Sequence, residues 1–411
     1  MKKNILLLFA FLILVSCTDP YTLQTNNYEE ALVIEATITN ELKHQEIKIS
    51  KTYRLEETAP TTVANAEVFV TDNFGNSYEF QEQSDRYVSV DEFQAQPNVQ
   101  YKLKIITDDG KSYSSTNETL THVNPIQSVV PTVVTKNDGV KGVDMVVNSY
   151  DPTNSSIYYR YEYEETYKVI APKWVSTEGI VTYYPGNVNP PGELNLVPRT
   201  TEARVCYSSK KSTDIILTST NNLIEDRVNF PVRFISNKDY TIANRYSIFV
   251  KQYVQNLESY TYYKTLKELS GSGSILSQNQ PGFFSGNIKC DSNQNEKVIG
   301  FFEVSSVSTK RIFFNYEDLF PGEPRPNYPF KCPEITPENQ KEYVLKYCFS
   351  EVLDPNAPSC YGWDILYDIF HRVKVYYSGA AAIGSFITVY PIQCGDCTSF
   401  SSNIIPSFWI D

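Results

Sequence analysis

Short runs in which polar and apolar residues alternate dominate the chain from residue 31 onward. Glu46-Ile47-Lys48-Ile49-Ser50 and Tyr101-Lys102-Leu103-Lys104-Ile105 have a period of two, which is typical of half-buried strands. Residues 66–71 repeat the pattern, and the Asn- and Gly-containing turn at 72–76 follows them. About seven such strands in ~90 residues, with turn signals between them, predict an immunoglobulin-like β-sandwich over residues 30–122.

The rest of the chain, residues 123–411, predicts a larger β-rich domain. Residues 158–167 alternate tyrosines with charged residues, and the segments 298–304 and 311–315 each indicate a strand. Loops rich in Pro, Gly and Asn, such as residues 185–198, separate the predicted strands. The predicted fold class is therefore mainly all-β, with the second domain forming a larger sandwich.

Two helices are predicted within this second domain. The first begins after Asn256, a suitable N-cap, and ends just before Gly271. The apolar face of this helix contains Tyr260, Tyr263, Leu266 and Leu269. The second begins at Thr336, with proline at its first helical position, and runs to about Cys348.

The first seventeen residues have the features of a secretory signal peptide that ends in a lipobox. Lys2 and Lys3 precede an apolar run that is too short to span a membrane, since a spanning helix needs about 20 apolar residues. Small Ser16 directly precedes Cys17. We therefore expect residues 1–16 to be removed, Cys17 to carry a diacylglyceryl anchor, and residues 17–29 to form a lipidated tether. Two or more acyl chains hold a protein stably in a bilayer.

The net charge of the chain limits the kinds of molecule that the protein can bind. The chain has 36 Lys and Arg residues against 48 Asp and Glu residues, a formal net charge of −12 at pH 7. An acidic protein lacks the basic surface that nucleic-acid binding requires, so nucleic acid is excluded as a partner. The same acidity argues against electrostatic docking on anionic lipid.

The cysteines predict structural disulfides in an oxidising compartment. With Cys17 lipidated, seven cysteines remain, so at least one thiol stays free or pairs with another chain. We expect Cys206 to pair with Cys290, and Cys394 or Cys397 to pair with Cys332 or Cys360. Cys394-Gly395-Asp396-Cys397 is a C-x-x-C motif, but a zinc site would need a second pair at similar spacing and a redox motif would need a βαβ unit.

The sequence predicts neither a catalytic motif nor a metal site. Asp291-Ser292-Asn293-Gln294-Asn295-Glu296 places oxygen side chains as calcium loops do, but it lacks the glycine at position six and the distal glutamate, so a polar loop is the better interpretation. The adjacent tyrosine pairs are ambiguous, because they fit either the core or a surface that stacks on sugars or proteins. These pairs are Tyr158-Tyr159, Tyr183-Tyr184, Tyr262-Tyr263 and Tyr376-Tyr377.

Several segments together resemble one known family. They are the lipobox, residues 66–72, the 101–113 hairpin, 161–165, Cys206-Tyr207, 286–288, 300–305, 311–313, 394–397 and 406–409. The chain resembles the surface or outer-membrane lipoproteins of Bacteroidota catalogued as domain of unknown function 4249. The resemblance covers nearly the whole chain after the signal peptide, although the Cys332, Cys348 and Cys360 segment looks like a local elaboration. Genes of this family often neighbour TonB-dependent transporters, which implies by analogy a role beside such a β-barrel.

These observations favour a non-enzymatic lipoprotein, anchored in the outer membrane and exposed at the cell surface. We expect it to act as an accessory or ligand-capturing subunit of a TonB-dependent transporter or a similar barrel complex, with no cofactor besides the covalent lipid on Cys17. An envelope-assembly or adhesion scaffold is the alternative. A glycan-active enzyme is a third hypothesis, which requires two carboxyl groups facing each other in an aromatic cleft.

Overall fold

A computed structural model of the protein describes residues 31–52, 60–183, 192–271, 286–336, 365–379 and 387–411. The predicted signal peptide and tether lie outside these residues, as do Cys17, Cys348, Cys360 and all of the second predicted helix after Thr336. Among the helices of the described segments, none is long and apolar enough to cross a membrane.

Strands make up most of the described chain, which confirms the mainly all-β class and is consistent with a β-sandwich. In chain order they are β1 (Leu32–Thr39), β2 (Glu46–Lys51), β3 (Thr61–Thr62), β4 (Glu67–Asp72), β5 (Ser77–Gln83), β6 (Arg86–Ser89), β7 (Gln100–Ile106), β8 (Ser112–Ser115), β9 (Glu118–Thr119), β10 (Ile126–Thr135), β11 (Lys141–Asp151), β12 (Tyr158–Ile170), β13 (Thr177–Tyr183), β14 (Gly192–Pro198), β15 (Val205–Lys211), β16 (Ile216–Ser219), β17 (Asp226–Ser236), β18 (Arg245–Gln255), β19 (Ile288–Cys290), β20 (Val298–Asn315), β21 (Lys374–Gly379) and β22 (Ile387–Pro391).

One sheet of fifteen strands runs through the molecule in the order β15-β12-β18-β20-β1-β2-β6-β5-β4-β7-β8-β19, with β16, β3 and β9 paired beside it. Strands β10, β11 and β17 form a second sheet, and β13-β14 and β21-β22 form two hairpins. The pairing of β1 with β20 is parallel, with Leu32 opposite Val298 and Thr39 opposite Ser305. Every other pairing between described strands is antiparallel.

The first hydrophobic core belongs to the N-terminal strands and follows their period-two pattern. Ile34, Ile47, Val70 and Leu103 are all nearly inaccessible to solvent and pack together. Residues from much later in the chain complete this core, namely Ile288, Cys290, Val298, Phe302 and Val304. The N-terminal unit therefore contains β19 and the first half of β20 in addition to the strands predicted within residues 30–122.

The second core lies between two sheets. One is formed by β10, β11 and β17, and the other is the end of the large sheet that contains β15, β12, β18 and β20. It includes Met145, Tyr161, Ile248 and Phe314, and it reaches Cys397 near the end of the chain. Strand β20 contributes to both cores because it runs without interruption for 18 residues. The two strands predicted at 298–304 and 311–315 are thus one strand.

The first predicted helix is present as α1 (Leu257–Gly271). Its N-terminus is capped as expected, because the Asn256 side-chain oxygen accepts a hydrogen bond from the Ser259 backbone N–H at 2.7 Å. Among the described residues after α1, three shorter α-helices follow, α2 (Tyr316–Leu319), α3 (Ile365–Phe370) and α4 (Ile392–Gly395). Helix α1 packs on β12, β18 and β20, at the junction of the two cores.

Two disulfides between described cysteines hold the C-terminal segment. Cys206 on β15 is bonded to Cys397, so the expected pairing of Cys206 with Cys290 is wrong. Cys290 lies in the N-terminal core, where its buried thiol is free. The second disulfide joins Cys332 to Cys394, which is one of the alternatives that the sequence left open. The two halves of the C-x-x-C motif therefore bond to different parts of the chain.

Candidate functional site

A buried carboxylate marks the place where the two cores meet. Glu303 on β20 faces away from the N-terminal core, since its neighbours Phe302 and Val304 fill that core. The Glu303 side chain accepts hydrogen bonds from Thr37 at 2.9 Å, Gln255 at 2.9 Å and Ser259 at 2.5 Å. Strands β1, β18 and helix α1 thus each send one donor to the same carboxylate.

An arginine from a fourth element neutralises this carboxylate. The Arg160 guanidinium on β12 donates to Glu303, and only 8% of the Arg160 side chain is exposed. Burial alone would raise the pKa of Glu303, but Arg160 and the three neutral donors outweigh it and hold that pKa below its usual range. Burial alone would also lower the pKa of Arg160, but attraction to the Glu303 carboxylate outweighs that effect. The pKa of Arg160 is therefore raised well above its usual value. Both groups are therefore charged at neutral pH.

Two tyrosine rings enclose the Arg160 guanidinium. Its central carbon lies 4.2 Å from the ring centre of Tyr253 and 4.7 Å from that of Tyr263, which are distances for cation–π contact. Glu162, two residues along β12, accepts a hydrogen bond from Arg160 and another from the Tyr253 hydroxyl at 3.1 Å. The arrangement holds the guanidinium rigidly between aromatic faces and carboxylates.

A cavity of about 540 Å³ lies against this cluster. Its walls come from β1, β2, β12, β18, helix α1, the start of β20 and the loop that joins β15 to β16. We call it the junction cavity, and its lining comprises Val33, Ile34, Glu35, Thr37, Glu46, Lys48, Arg160, Tyr161, Glu162, Ser212, Thr213, Asp214, Ile215, Tyr253, Tyr262, Tyr263, Leu266, Ile299 and Phe301. The volume falls within the range of about 300–1,000 Å³ that is typical of small-molecule sites.

Three charged side chains of the junction cavity are left without a partner. Among the described residues, Glu35, Lys48 and Asp214 make neither a hydrogen bond nor an ion pair, although Glu35 and Lys48 occupy facing positions on β1 and β2. Glu46, by contrast, is ion-paired with Arg86 at 2.8 Å. The cavity thus offers both acceptors and a donor that the protein itself does not use.

The aromatic lining is neutral at physiological pH. Burial, with the Glu35 carboxylate nearby, raises the pKa of Tyr262 to about 12. Burial, together with Glu303, also raises the pKa of Tyr263. The Tyr262 ring lies 5.5 Å from that of Phe301, centre to centre, so α1 is held on the sheet by aromatic contacts on the cavity side.

A second and smaller cavity, of about 360 Å³, lies among the N-terminal strands, beside the start of β1 and the end of β2. Its lining also includes residues 61–65 and 107–109, with Lys111, Tyr113 and Glu296. Glu296 is already engaged there by the Tyr113 hydroxyl at 2.5 Å and by Lys111 at 3.1 Å. This cavity lacks the enclosed guanidinium and the aromatic walls, so the junction cavity is the stronger candidate site.

The residues that the sequence singled out are dispersed. Of the tyrosine pairs, Tyr262-Tyr263 lines the junction cavity, whereas Tyr159 lies in the second core. In the 291–296 loop, Asp291 accepts hydrogen bonds from Ser112 and Ser114. Within the described segments no group of His, Cys, Asp and Glu side chains is arranged to hold a metal ion.

Sequence reasoning missed Glu303. A signal was available, because this carboxylate stands alone in the apolar run Gly300-Phe301-Phe302-Glu303-Val304 of a predicted strand. A charge in a strand buried on both faces requires a partner. Nothing in the sequence identifies Arg160, 143 positions earlier, as that partner.

Comparison with known families agrees with the resemblance found in the sequence. A family model described as Domain of unknown function (DUF4249) matches residues 18–311, which is well over half of the 411 residues. The match extends from before β1 to Arg311 on β20, so it includes every residue that lines the junction cavity. No curated protein matches the chain.

Proposed function

The chain belongs to the DUF4249 family, and from that premise we propose that it is a surface-exposed outer-membrane lipoprotein that captures a ligand. It serves as an accessory subunit of a TonB-dependent transporter or a similar barrel complex. Lipid on Cys17 anchors it, and residues 17–29 tether its body to the membrane. The junction cavity is the ligand site.

The observation that carries this proposal is the construction of the junction cavity. Six strands and helices and one loop converge there, and hydrogen bonds and ring contacts hold Arg160, Glu162, Tyr253 and the adjacent Glu303 in fixed positions. Ligand sites combine apolar or aromatic walls with a few fixed polar groups, and such a combination is present here. Glu35 and Asp214 are exposed and Lys48 is half-buried, so all three side chains are accessible to a ligand that enters the cavity.

The proposed mechanism of capture depends on position. An anchor confines the protein to the membrane plane, so that each binding event places the ligand at a high effective concentration beside a neighbouring barrel. The anchor and the cavity thus have separate roles, since one sets where the protein works and the other sets what it binds.

A second candidate function is glycan cleavage. The junction cavity brings the carboxylates of Glu35, Glu162 and Asp214 into one space with tyrosines, and two carboxyl groups in an aromatic cleft are what glycoside hydrolysis requires. Glu162, however, is committed to Arg160 and Tyr253. We favour binding without cleavage, and product analysis after incubation with oligosaccharides distinguishes the two functions.

The experiment that tests the proposal is a mild-detergent purification of the full chain from native membranes through a tag after Asp411. We expect a stoichiometric TonB-dependent transporter to copurify. A Cys17→Ser variant, expressed at the same level, is the matched control and should leave the membrane fraction. Recovery of the protein alone, or with assembly or adhesion machinery, would overturn the transporter role and favour the scaffold alternative.

A further inference from the structure

We infer that the junction cavity takes a neutral, polyhydroxylated ligand, with the chemistry of a saccharide. The inference rests on the proposed function, because it names the chemical class of the ligand that the protein captures. Three features of the cavity lead to it: the neutralised arginine, the mixed set of unused charged groups and the tyrosine faces.

The enclosed arginine does not make the cavity an anion site. Glu303 and Glu162 accept two of the guanidinium's hydrogen bonds and cancel its charge. The remaining carboxylates, Glu35, Glu46 and Asp214, outnumber the single lysine of the lining, Lys48. An anionic ligand could pair with Lys48 alone, and it would meet repulsion from the three carboxylates.

The unused groups also argue against a ligand that carries only cations. Glu35 and Asp214 are acceptors, whereas Lys48 is a donor, and all three are unpaired among the described residues. An amine satisfies the carboxylates but leaves Lys48 facing a like charge. A hydroxyl group both donates and accepts, so a ligand with several hydroxyls satisfies all three groups. The neighbouring Ser212 and Thr213 hydroxyls have the same dual capacity.

The tyrosines supply the apolar part of such a site. Tyr262 and Tyr263 of α1 line the cavity and remain uncharged, and Phe301 lies beside them. Aromatic side chains provide large apolar surfaces. A sugar ring has C–H groups on its faces that pack on such surfaces, and the hydroxyls on its edge can reach the charged groups of the lining.

The test measures direct binding to the full chain in detergent micelles by calorimetry. The probes are neutral tetrasaccharides of glucose, mannose and N-acetylglucosamine, the amines spermidine and tetralysine, and the anions citrate and inorganic phosphate. We expect saturable binding of at least one neutral tetrasaccharide and none of the charged probes. Asp214→Ala should weaken that binding about tenfold or more, since a hydrogen bond to a charged group is lost.

Matched variants keep the result interpretable. Glu79→Ala removes an exposed carboxylate on β5, outside the cavity lining, and should leave the affinity unchanged. Glu35→Ala should weaken binding as Asp214→Ala does. Preferential binding of an amine or an anion at these residues overturns the saccharide assignment but leaves ligand capture intact. If no probe binds, or if Asp214→Ala and Glu79→Ala behave alike, the cavity assignment itself is overturned, whatever copurifies with the protein.

Discussion

Arg160 and Glu303 form an ion pair that reaches across an intervening strand. Arg160 lies on β12 and Glu303 on β20, and β18 separates these two strands in the large sheet. The donors Thr37, Gln255 and Ser259 on the same carboxylate come from β1, β18 and α1. The pair therefore joins the N-terminal unit, the second core and the helix at one buried point.

This arrangement predicts a large cost for removing the carboxylate charge. In Glu303→Gln the buried Arg160 guanidinium loses the negative charge of its buried partner. Loss of one partner of a buried ion pair costs about 3–5 kcal/mol of stability. Urea unfolding at pH 7, followed by tyrosine fluorescence, measures the loss in the free energy of unfolding.

The matched control removes the exposed partner of the same arginine. The Glu162 side chain is 45% exposed, so Glu162→Gln should cost about 0–1 kcal/mol. Equal losses for the two variants would contradict the view that Glu303, rather than Glu162, balances the arginine.

The disulfides predict unequal losses of stability. Cys206–Cys397 closes 191 residues and Cys332–Cys394 closes 62. In the chain-entropy model the longer loop constrains the unfolded chain more, by about 1 kcal/mol for this ratio. The Cys206→Ala/Cys397→Ala double variant should therefore unfold at lower guanidinium concentration than the Cys332→Ala/Cys394→Ala double variant. The reverse order would show that native packing, rather than loop closure, dominates.

The burial of Cys290 predicts that its thiol is protected from alkylation in the folded protein. Its thiol is 2% exposed in the N-terminal core, so iodoacetamide should not reach it in the folded protein. Labelling is carried out in buffer and in about 6 M guanidinium, a concentration that unfolds even very stable domains. Peptide mapping then measures how much of Cys290 has reacted under each condition. Modification of the Cys290 peptide in the native state would contradict the burial, and its recovery in a disulfide would contradict the free thiol.

Local structure was largely predictable because it depends on neighbouring residues. The period-two runs at 46–50 and 101–105 lie in β2 and β7, and Asn256 caps α1 as its side-chain chemistry requires. Alternation also separated the two faces of β12, since Tyr159 is buried in the second core and Tyr163 packs against it, while Arg160 and Glu162 line the junction cavity.

Long-range pairing was not predictable from one sequence. The parallel contact of β1 with β20 joins residues more than 260 positions apart, as the bond between Thr37 and Glu303 illustrates with its separation of 266. The choice of Cys397 over Cys290 for Cys206 depends on the same tertiary arrangement, since Cys290 lies in the other core. The junction cavity is assembled from segments that lie between residues 33 and 301, so its composition becomes visible only in the folded chain.

The turn that follows β11 predicts a loss of stability at low pH. Asp151 is buried, and its carboxylate accepts hydrogen bonds from the backbone N–H groups of Thr153 at 2.9 Å, Ser155 at 3.1 Å and Ser156 at 3.0 Å. Burial alone would raise the pKa of Asp151, but these bonds and the Thr153 hydroxyl outweigh it and lower that pKa to about 2. His122 lies 3.6 Å away and adds attraction when it is protonated.

Because the folded pKa is below the unfolded value of about 3.9, this group stabilises the protein above pH 4 and the stabilisation disappears as pH falls towards 2. The contribution is about 2.5 kcal/mol. Asp151→Asn should lower the free energy of unfolding by that amount at pH 7 and flatten its dependence between pH 4 and 2. Asp91→Asn, at an exposed carboxylate, is the control. An unchanged pH profile in Asp151→Asn would show that other carboxylates govern the acid transition.

The contact between β1 and β20 predicts a specific role for Gly300. Gly300 lies opposite Ile34 in the parallel pairing, and a Cβ atom at position 300 would collide with the Ile34 carbonyl oxygen and approach its Cβ to 2.9 Å. Backbone atoms cannot move aside as a flexible side chain can, so Gly300→Ala should force the two strands apart. Overpacking of this kind costs about 1–3 kcal/mol. Thr309→Ala, on the exposed part of the same strand, should change stability little.

Hydrogen exchange distinguishes this local effect from general destabilisation. We expect Gly300→Ala to reduce protection mainly at the backbone amides of β1 that face β20, while the amides of β11 and β17 in the separate sheet keep theirs. Uniform loss of protection in both sheets would mean that the substitution acts through global unfolding. Unchanged protection in β1 would contradict the parallel register, because in that register the Ile34 backbone leaves no space for a side chain at position 300.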